Sequence, residues 1–512
     1  MTFTQTIQEG YIFSGDSFFL GMGMQGNEVV PEANVRIPFA TMNRHGLIAG
    51  ATWTGKTKTI QKMIESLSKA GVPTVVMDIK WDISGLALSG TMNDKIQSRL
   101  GLLGNPEWNP TGLPAEFYTL SGASGVQLRS TISEFGPVLF SRMLDLSDTG
   151  ESVIALIFKY CDDNGLALLD FDDLKKVLQY IIHEWKEDIE SQYGWVSSST
   201  VNVIMRKIIE LESQGVEQFF GEPSFDTKDF LQKDDEWKWY VNIIRLMDMM
   251  TRPKLFSTFM LSLLSEIYQT FPEEWDMDHP KLVLIIDEAH IIFDNAPQTL
   301  LDEMEMVIKL IRSKWVGIFF CTQNPIDIPD AILSQLGLEI QHALRAFTAK
   351  DRDAIKKASD NFPITPYYNI EDELLALGIG EAFVTVLNEK WIPTPLVRTM
   401  IAPPESRMDT LSEAELNWLL LVSTLIQKYN TPIDRESAEE ILSARINEKM
   451  QMTQNNAPTF MDTIGGGIAK NVSKTIAAEL GRSIGKSVGG RTGGTIGAQI
   501  FRWLLGAVFS GK

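Results

Sequence analysis

Apolar positions along this chain fall into two alternating patterns. Short continuous apolar runs read as strands buried on both faces of a parallel sheet: Leu47-Ile48-Ala49, Thr74 to Asp78, Lys281 to Ile286, Gly317 to Cys321, Leu338–Leu344, Ala382–Leu387 and Leu396–Ile401. Helical periodicity occupies Ile60–Leu67, Ser152–Tyr160, Phe171–Tyr193, Ser199–Gln214 and Pro253–Phe271. Residues 11–40 read as short strand-like pieces with turns, Tyr11 to Phe13 and Ser17 to Leu20. Thr410 with Glu413 reads as a capping box for a helix Leu411–Tyr429, and a second helix is expected near Asp434. The pattern predicts an α/β fold, a mostly parallel sheet flanked by helices, interrupted between about Ser89 and Pro280 by a long, mostly helical interval.

The first strand runs into Gly50-Ala51-Thr52-Trp53-Thr54-Gly55-Lys56-Thr57, a full G-x-x-x-x-G-K-[ST] match that opens a helix. In that context successive backbone N–H groups and a helix N-terminus wrap the phosphates of a nucleoside triphosphate. Lys56 is expected at the β/γ-phosphates, the Thr57 hydroxyl at Mg²⁺, and Lys58 beside them at the nucleotide. The run Leu282 to Ile286 ends in Asp287 and Glu288. Burying two carboxylates there needs a partner; Asp287 is assigned to the metal and Glu288 to polarising the attacking water. The strand Gly317 to Cys321 ends at Thr322-Gln323, and Gln323 is expected to sense the γ-phosphate or orient the water. Asp78 and Lys80 close another strand, either to support metal or phosphate or to cap that strand.

Composition narrows the setting. The 512 residues are 44% hydrophobic, enough for a large core and more than one typical domain. Cys161 and Cys321 both lie in apolar segments, which excludes a disulfide framework and points to a reducing compartment. The N-terminus lacks an apolar targeting core and no run is long enough to span a bilayer, so a cytoplasmic protein is expected. The net charge is −20; residues 465–512 carry seven Lys/Arg and one Glu, a net of +6, leaving −26 on the first 464. An acidic body argues against a broad nucleic-acid-coating surface but not against a basic pore. In the tail Gly481, Gly485, Gly489, Gly493 and Gly497 recur every four residues. A helix so rich in glycine is marginal in water, and Arg482, Lys486 and Arg491 oppose spanning. A flexible tail is expected, with a peripheral contact to anionic lipid, nucleic acid or protein as the alternative.

The motifs also carry a family resemblance. NRHGLIAGATWTGKTKT, MDIKWDISGLA, KLVLIIDEAH, IRSKWVGIFFCTQNP and QHALRAF resemble the HerA-like branch of the HerA/FtsK P-loop ATPases, and closely its YjgR-type bacterial members. The resemblance runs over most of the chain, including RKIIELESQG, FFGEP and the Gly-rich tail. It implies a RecA-like P-loop ATPase core with a large helical insertion. It also implies ATP and Mg²⁺ as cofactors, a homo-hexamer, and movement along double-stranded DNA. The expected divisions are 1–44 (short strand region), 45–90 (first part of the core), 91–280 (mostly helical insertion), 281–404 (second part of the core), 405–455 (C-terminal helices) and 456–512 (Gly-rich basic tail). The family further implies a catalytic arginine acting across a subunit interface. Arg312, before the Gln323 strand, sits where the pattern has one, and Arg44 and Arg345 resemble other family positions at the nucleotide.

One departure is systematic. At Trp53, Trp81, Trp237, Trp239, Trp275, Trp315, Trp391 and Trp503 the resemblance implies glycine, the most permissive residue replaced by the largest. A single cause would cover all eight, a gene that uses UGA for glycine translated with UGA as tryptophan; the alternative is that some are genuine tryptophans on an apolar surface. Two functions of different class remain open. One is a ring-forming ATP-driven DNA translocase or helicase; the other is a P-loop ATPase acting on protein or membrane-associated partners. No motif for base readout is visible.

Overall fold

The structure is a computed structural model that describes residues 1–183, 191–234, 238–247, 252–274, 277–293, 298–346, 348–431, 433 and 435–455. Trp237, Trp275, Trp503, Asp434 and the glycine ridge Gly481 to Gly497 lie outside them. The chain divides into two compact units, Met1–Leu442 and Ser443–Lys512, and the sheet belongs to the first.

Its strands are β1 (Ser17–Gln25), β2 (Glu28–Pro38), β3 (Gly46–Ala49), β4 (Thr74–Asp78), β5 (Ala115–Thr119), β6 (Val126–Gln127), β7 (Val241–Arg245), β8 (Leu282–Ile286), β9 (Val316–Thr322), β10 (Leu338–His342), β11 (Glu381–Val386) and β12 (Val397–Ile401). They form one twelve-stranded sheet in the order β2-β1-β12-β11-β10-β3-β9-β8-β4-β7-β5-β6. Every neighbouring pair from β10 through to β6 is parallel. The remaining pairs, β10 to β11, β11 to β12, β12 to β1 and β1 to β2, are antiparallel. Strands β3, β4, β8 and β9 are buried along their whole length, which is why their sequences are continuous apolar runs rather than alternations. This order sets β9 between the phosphate-loop strand β3 and the acidic strand β8. In a parallel sheet the chain leaves all three at the same edge, so Gly50, Asp287 and Gln323 are collected there by topology alone.

Several local expectations change. Residues Phe3–Gly10 form a helix, and Tyr11 is its C-cap rather than the start of a strand. Its signal is Thr2-x-x-Gln5, a reciprocal capping box in which Gln5 N–H donates to Thr2 Oγ1 at 3.3 Å and Thr2 N–H to Gln5 Oε1 at 3.0 Å. At the far end the capping box is Ser412 with Glu415, not Thr410 with Glu413, and the helix stops at Leu421 before a second one, Thr424–Tyr429. Strand β10 ends at His342 because Ala343 turns its carbonyl to the phosphate loop and Leu344 donates to Leu374. The interval 91–280 contributes β5, β6 and β7 to the sheet besides its helices Asp148–Asn164, Ser198–Glu212 and Pro253–Thr270. Among the described residues no helix is long and apolar enough to cross a membrane.

Candidate nucleotide site

The loop between β3 and the helix Lys56–Lys69 is held from both sides. Gly50 N–H donates to Thr322 O at 3.2 Å, Ala51 N–H to Ala343 O at 2.9 Å, and Gly380 N–H to Thr54 O at 2.8 Å. Two of its glycines are sterically required. At Gly50 (φ 151°) a Cβ would stand 2.5 Å from the Cβ of His342; at Gly55 (φ 111°) it would stand 2.9 Å from Gly380 N. Among the described residues the successive backbone N–H groups from Thr52 to Thr57 have no acceptor within the chain. That string of free donors at a helix N-terminus is the structural signature of a phosphate cradle.

Three of the side chains predicted to serve this loop, Lys56, Glu288 and Gln323, are brought to it. Lys56 Nζ, largely buried, donates to Thr322 O at 2.9 Å across the end of β9. Burial pulls its pKa down, opposed by Glu288 and Asp287. Glu288 is buried and ion-paired with Lys80, and Gln323 Nε2 lies 3.4 Å from its Oε2. Burial alone would raise the Glu288 pKa, but the Lys80 hydrogen bond and the Lys56 charge outweigh it and hold the carboxyl below its usual range. His290 Nδ1 stands 3.2 Å from Glu288 Oε2 without hydrogen-bond geometry. Thr52 Oγ1 donates to Gln323 Oε1 at 3.4 Å, so Gln323 bridges the phosphate loop and the acidic pair. Asp287 differs from its neighbour: burial first, and then the Glu288 and Asp82 charges, push it up to about 7. Lys58 points away from the loop; its Nζ donates to Met408 O.

Asp82 escaped the sequence reading. Thr57 Oγ1 donates to Asp82 Oδ2 at 2.9 Å, and Asp78, Asp82 and Asp287 each offer an oxygen within 4.8 Å of the others. The signal was a second carboxylate four residues beyond Asp78, in the turn that leaves β4. The donor set is all oxygen and suits a hard divalent cation such as Mg²⁺.

The arginines separate. Arg345, exposed, follows β10 at the same edge as the phosphate loop, two residues beyond the carbonyl that receives Ala51 N–H. Arg44 precedes β3 and Arg312 precedes β9, so both lie at the opposite edge. They are neighbours there, since the Arg312 charge helps burial lower the Arg44 pKa. The Arg44 guanidinium stacks 3.8 Å over Trp391, and Arg312 Nε donates to Lys309 O at 3.1 Å. Between them His45 is wholly buried, its Nδ1 accepting from Ile318 N–H at 3.0 Å and its Nε2 facing Ile308 O at 2.8 Å.

A phosphate-binding loop, an acidic strand one place removed from it and a polar strand end between them define a RecA-like P-loop nucleoside triphosphatase. The chain belongs to the helicase HerA-like C-terminal family, which it matches over residues 25–512. No curated protein matches the sequence. Among solved structures it is similar to the bacterial conjugative coupling protein TrwBdeltaN70 in an unbound form, at 12% identity and TM-score 0.49 over 78% of this chain and 97% of that one. The plasmid coupling protein TrwB in complex with ADP and Mg²⁺ gives 13% and 0.49 over 78% and 97%. VirB4 of Thermoanaerobacter pseudethanolicus gives 14% and 0.45 over 79% and 99%.

Proposed function

We propose that this protein binds Mg-ATP in the loop Gly50 to Thr57 and hydrolyses it to drive movement along double-stranded DNA as a ring of identical subunits. The observation that carries the ATPase half is the run of unbonded N–H groups from Thr52 to Thr57 facing Lys56, Asp287, Glu288 and Gln323. The loop and Lys56 bind and orient the triphosphate. Thr57 and Asp287 would hold Mg²⁺, which when bound supplies positive charge at the phosphates. Glu288, kept ionised by Lys80 and Lys56, is ready to accept a hydrogen bond from the attacking water. Gln323 couples that carboxylate to Thr52 in the phosphate loop.

The arginine positions support the ring. Strand β3 has four residues and β9 seven, roughly 13 and 23 Å at about 3.3 Å per residue, so Arg44 and Arg312 are out of reach of their own chain's phosphates. They serve a nucleotide only if it belongs to another copy. Arg345 stays on the nucleotide edge of its own chain and is assigned to the bound nucleotide.

The test is ATP hydrolysis with and without duplex DNA, with Glu288→Gln as the blank. Strong stimulation by DNA that the blank abolishes supports the motor. Robust hydrolysis indifferent to DNA keeps the ATPase, removes the motor, and turns the question to protein or membrane partners of the basic tail.

A further inference from the structure

The turn that leaves β4 carries chemistry that the phosphate-loop motif does not predict. Asp78, the last residue of β4, is fully buried; its Oδ2 accepts Ile83 N–H at 3.1 Å, while its Oδ1 is buried with no hydrogen-bond partner. Asp82 repeats the arrangement, with Oδ2 taken by the Thr57 hydroxyl and Oδ1 buried and unpartnered. Together with Asp287 they bring three carboxylates to within one ion's reach of each other. Among the described residues no ion pair reaches any of the three, because Lys80 is paired with Glu288 and Lys56 bonds Thr322 O. Buried carboxylate oxygens without a partner in the protein are costly unless a cation completes them.

We propose that Asp82 and Asp78 join Asp287 in holding the divalent cation that accompanies the nucleotide, so that the β4 turn is part of the metal site. This rests on the reading above that the chain binds a Mg-nucleotide. Thr57 ties the turn to the phosphate loop through Asp82, so the cation, the first helical turn and β4 form one unit. The probe is Mn²⁺ with ADP, titrated by calorimetry or by the Mn²⁺ resonance signal on the full chain. Asp82→Asn is expected to weaken Mn²⁺ by about 10- to 100-fold, a larger factor than any change it makes to ADP affinity in EDTA. Asp78→Asn should act in the same direction; should that buried variant fail to fold, Asp82→Asn, which is only half-buried, carries the test. Asp82→Asn binding Mn²⁺ with the parent affinity overturns the proposal. A parent chain that fails to bind ADP at all overturns the nucleotide reading instead, and the two failures are distinct.

A second inference stands on the backbone. Trp53, Trp81, Trp315 and Trp391 have φ of 67°, 64°, 57° and 61°, the left-handed region that bulky L-residues avoid. Trp108, Trp195 and Trp418 do not, and neither does Trp239, where the resemblance also implies glycine but the backbone does not call for it. Local bonding fixes the conformation at two of them: Trp315 N–H closes a turn onto Arg312 O at 3.0 Å, and Trp391 N–H closes one onto Asn388 O at 2.9 Å. These are places where glycine ends a helix or a hairpin turn. We infer that glycine stands at these four positions in the natural protein, encoded by UGA. The codons decide it, together with the masses of peptides from the native source. UGA with glycine-mass peptides at all four is expected; UGG, or a tryptophan-mass peptide, at any of them overturns it.

Discussion

The two edges of the parallel sheet are built differently. At the edge where β3, β8 and β9 end, the chain assembles phosphate donors, a buried lysine, two acidic groups and a bridging glutamine, all from one subunit. At the edge where β3 and β9 begin, it assembles Arg44, Arg312 and a buried neutral His45. The first edge contains what binding requires. The second brings two guanidinium groups close enough that the charge of Arg312 helps lower the pKa of Arg44. The contrast teaches that the groups of the nucleotide site gather at one edge of the sheet and the Arg44–Arg312 pair at the other, the separation on which the proposed ring rests.

The largest effect expected from that contrast is on hydrolysis. Arg312→Ala should lower the ATPase rate by about 10³-fold or more, the range for a finger that acts on transition-state charge, while ATP affinity stays near the parent value. Lys56→Ala should lose affinity as well as rate, because Lys56 lies in the cradle. Mixing separates the edges. Arg312→Ala and Glu288→Gln, each inactive alone, should recover measurable hydrolysis together under the proposed ring, since a mixed ring would contain interfaces with both groups intact. Phosphate release from the mixture measures it, and no recovery would break the idea that the arginine edge serves another copy.

How much of this was legible depends on the length of each signal. The phosphate loop, the Asp287-Glu288 strand end and Gln323 are contiguous motifs after apolar runs, and their convergence follows from strand order. Strands β5, β6 and β7 were not legible: β6 holds two residues, and Glu116 in β5 and Asn242 and Arg245 in β7 break the continuous apolar run that marks β3, β4 and β8. The tail-side capping box was misplaced by two residues because Thr410 and Ser412 both precede a Glu by three, and only backbone geometry selects Ser412. Asp82 was missed because it lies in a turn, outside any strand end, and acquires meaning only when Thr57 is brought to it. The separation of Arg44 and Arg312 from the phosphate loop was implicit in their places before strands. Their closeness to each other was not.

A smaller effect compares one buried histidine at each edge. Burial holds both His45 and His342 at about 4, below the usual 6.5. Between those values the unfolded chain takes up a proton that the folded chain refuses, so stability is lost as pH falls below 6.5 and is unaffected above it. Each histidine should cost about 2 kcal/mol at pH 5. His45 is the stricter case because Nδ1 accepts a backbone N–H and cannot also carry a proton. His342 bonds Glu381 O through Nδ1 and the Thr59 hydroxyl through Nε2, a partner that can reverse its role. Urea midpoints at pH 7.5 and 5 measure the slope, and His45→Gln should remove its share. An unchanged slope would mean that His45 does not set the acid limit of the arginine edge.

The smallest effect again uses one residue per edge. Trp53 lies in the phosphate loop, 83% exposed, so its replacement loses little packing. Trp391 lies at the other edge, against Arg44. A left-handed L-residue costs roughly 1–2 kcal/mol, and glycine at either position should recover about that much stability. Only Trp53→Gly should also tighten ADP, by up to about tenfold, because the loop then closes on phosphate without holding a bulky residue in a strained conformation. Trp391→Gly should leave ADP affinity alone, since its strain is remote from the cradle, and act instead through Arg44, whose guanidinium loses the ring beneath it. Equilibrium ADP binding to the two variants decides the matter. Equal tightening by both would mean that the edges are mechanically coupled within one chain, and weaker binding by Trp53→Gly would mean that the indole itself contacts the nucleotide.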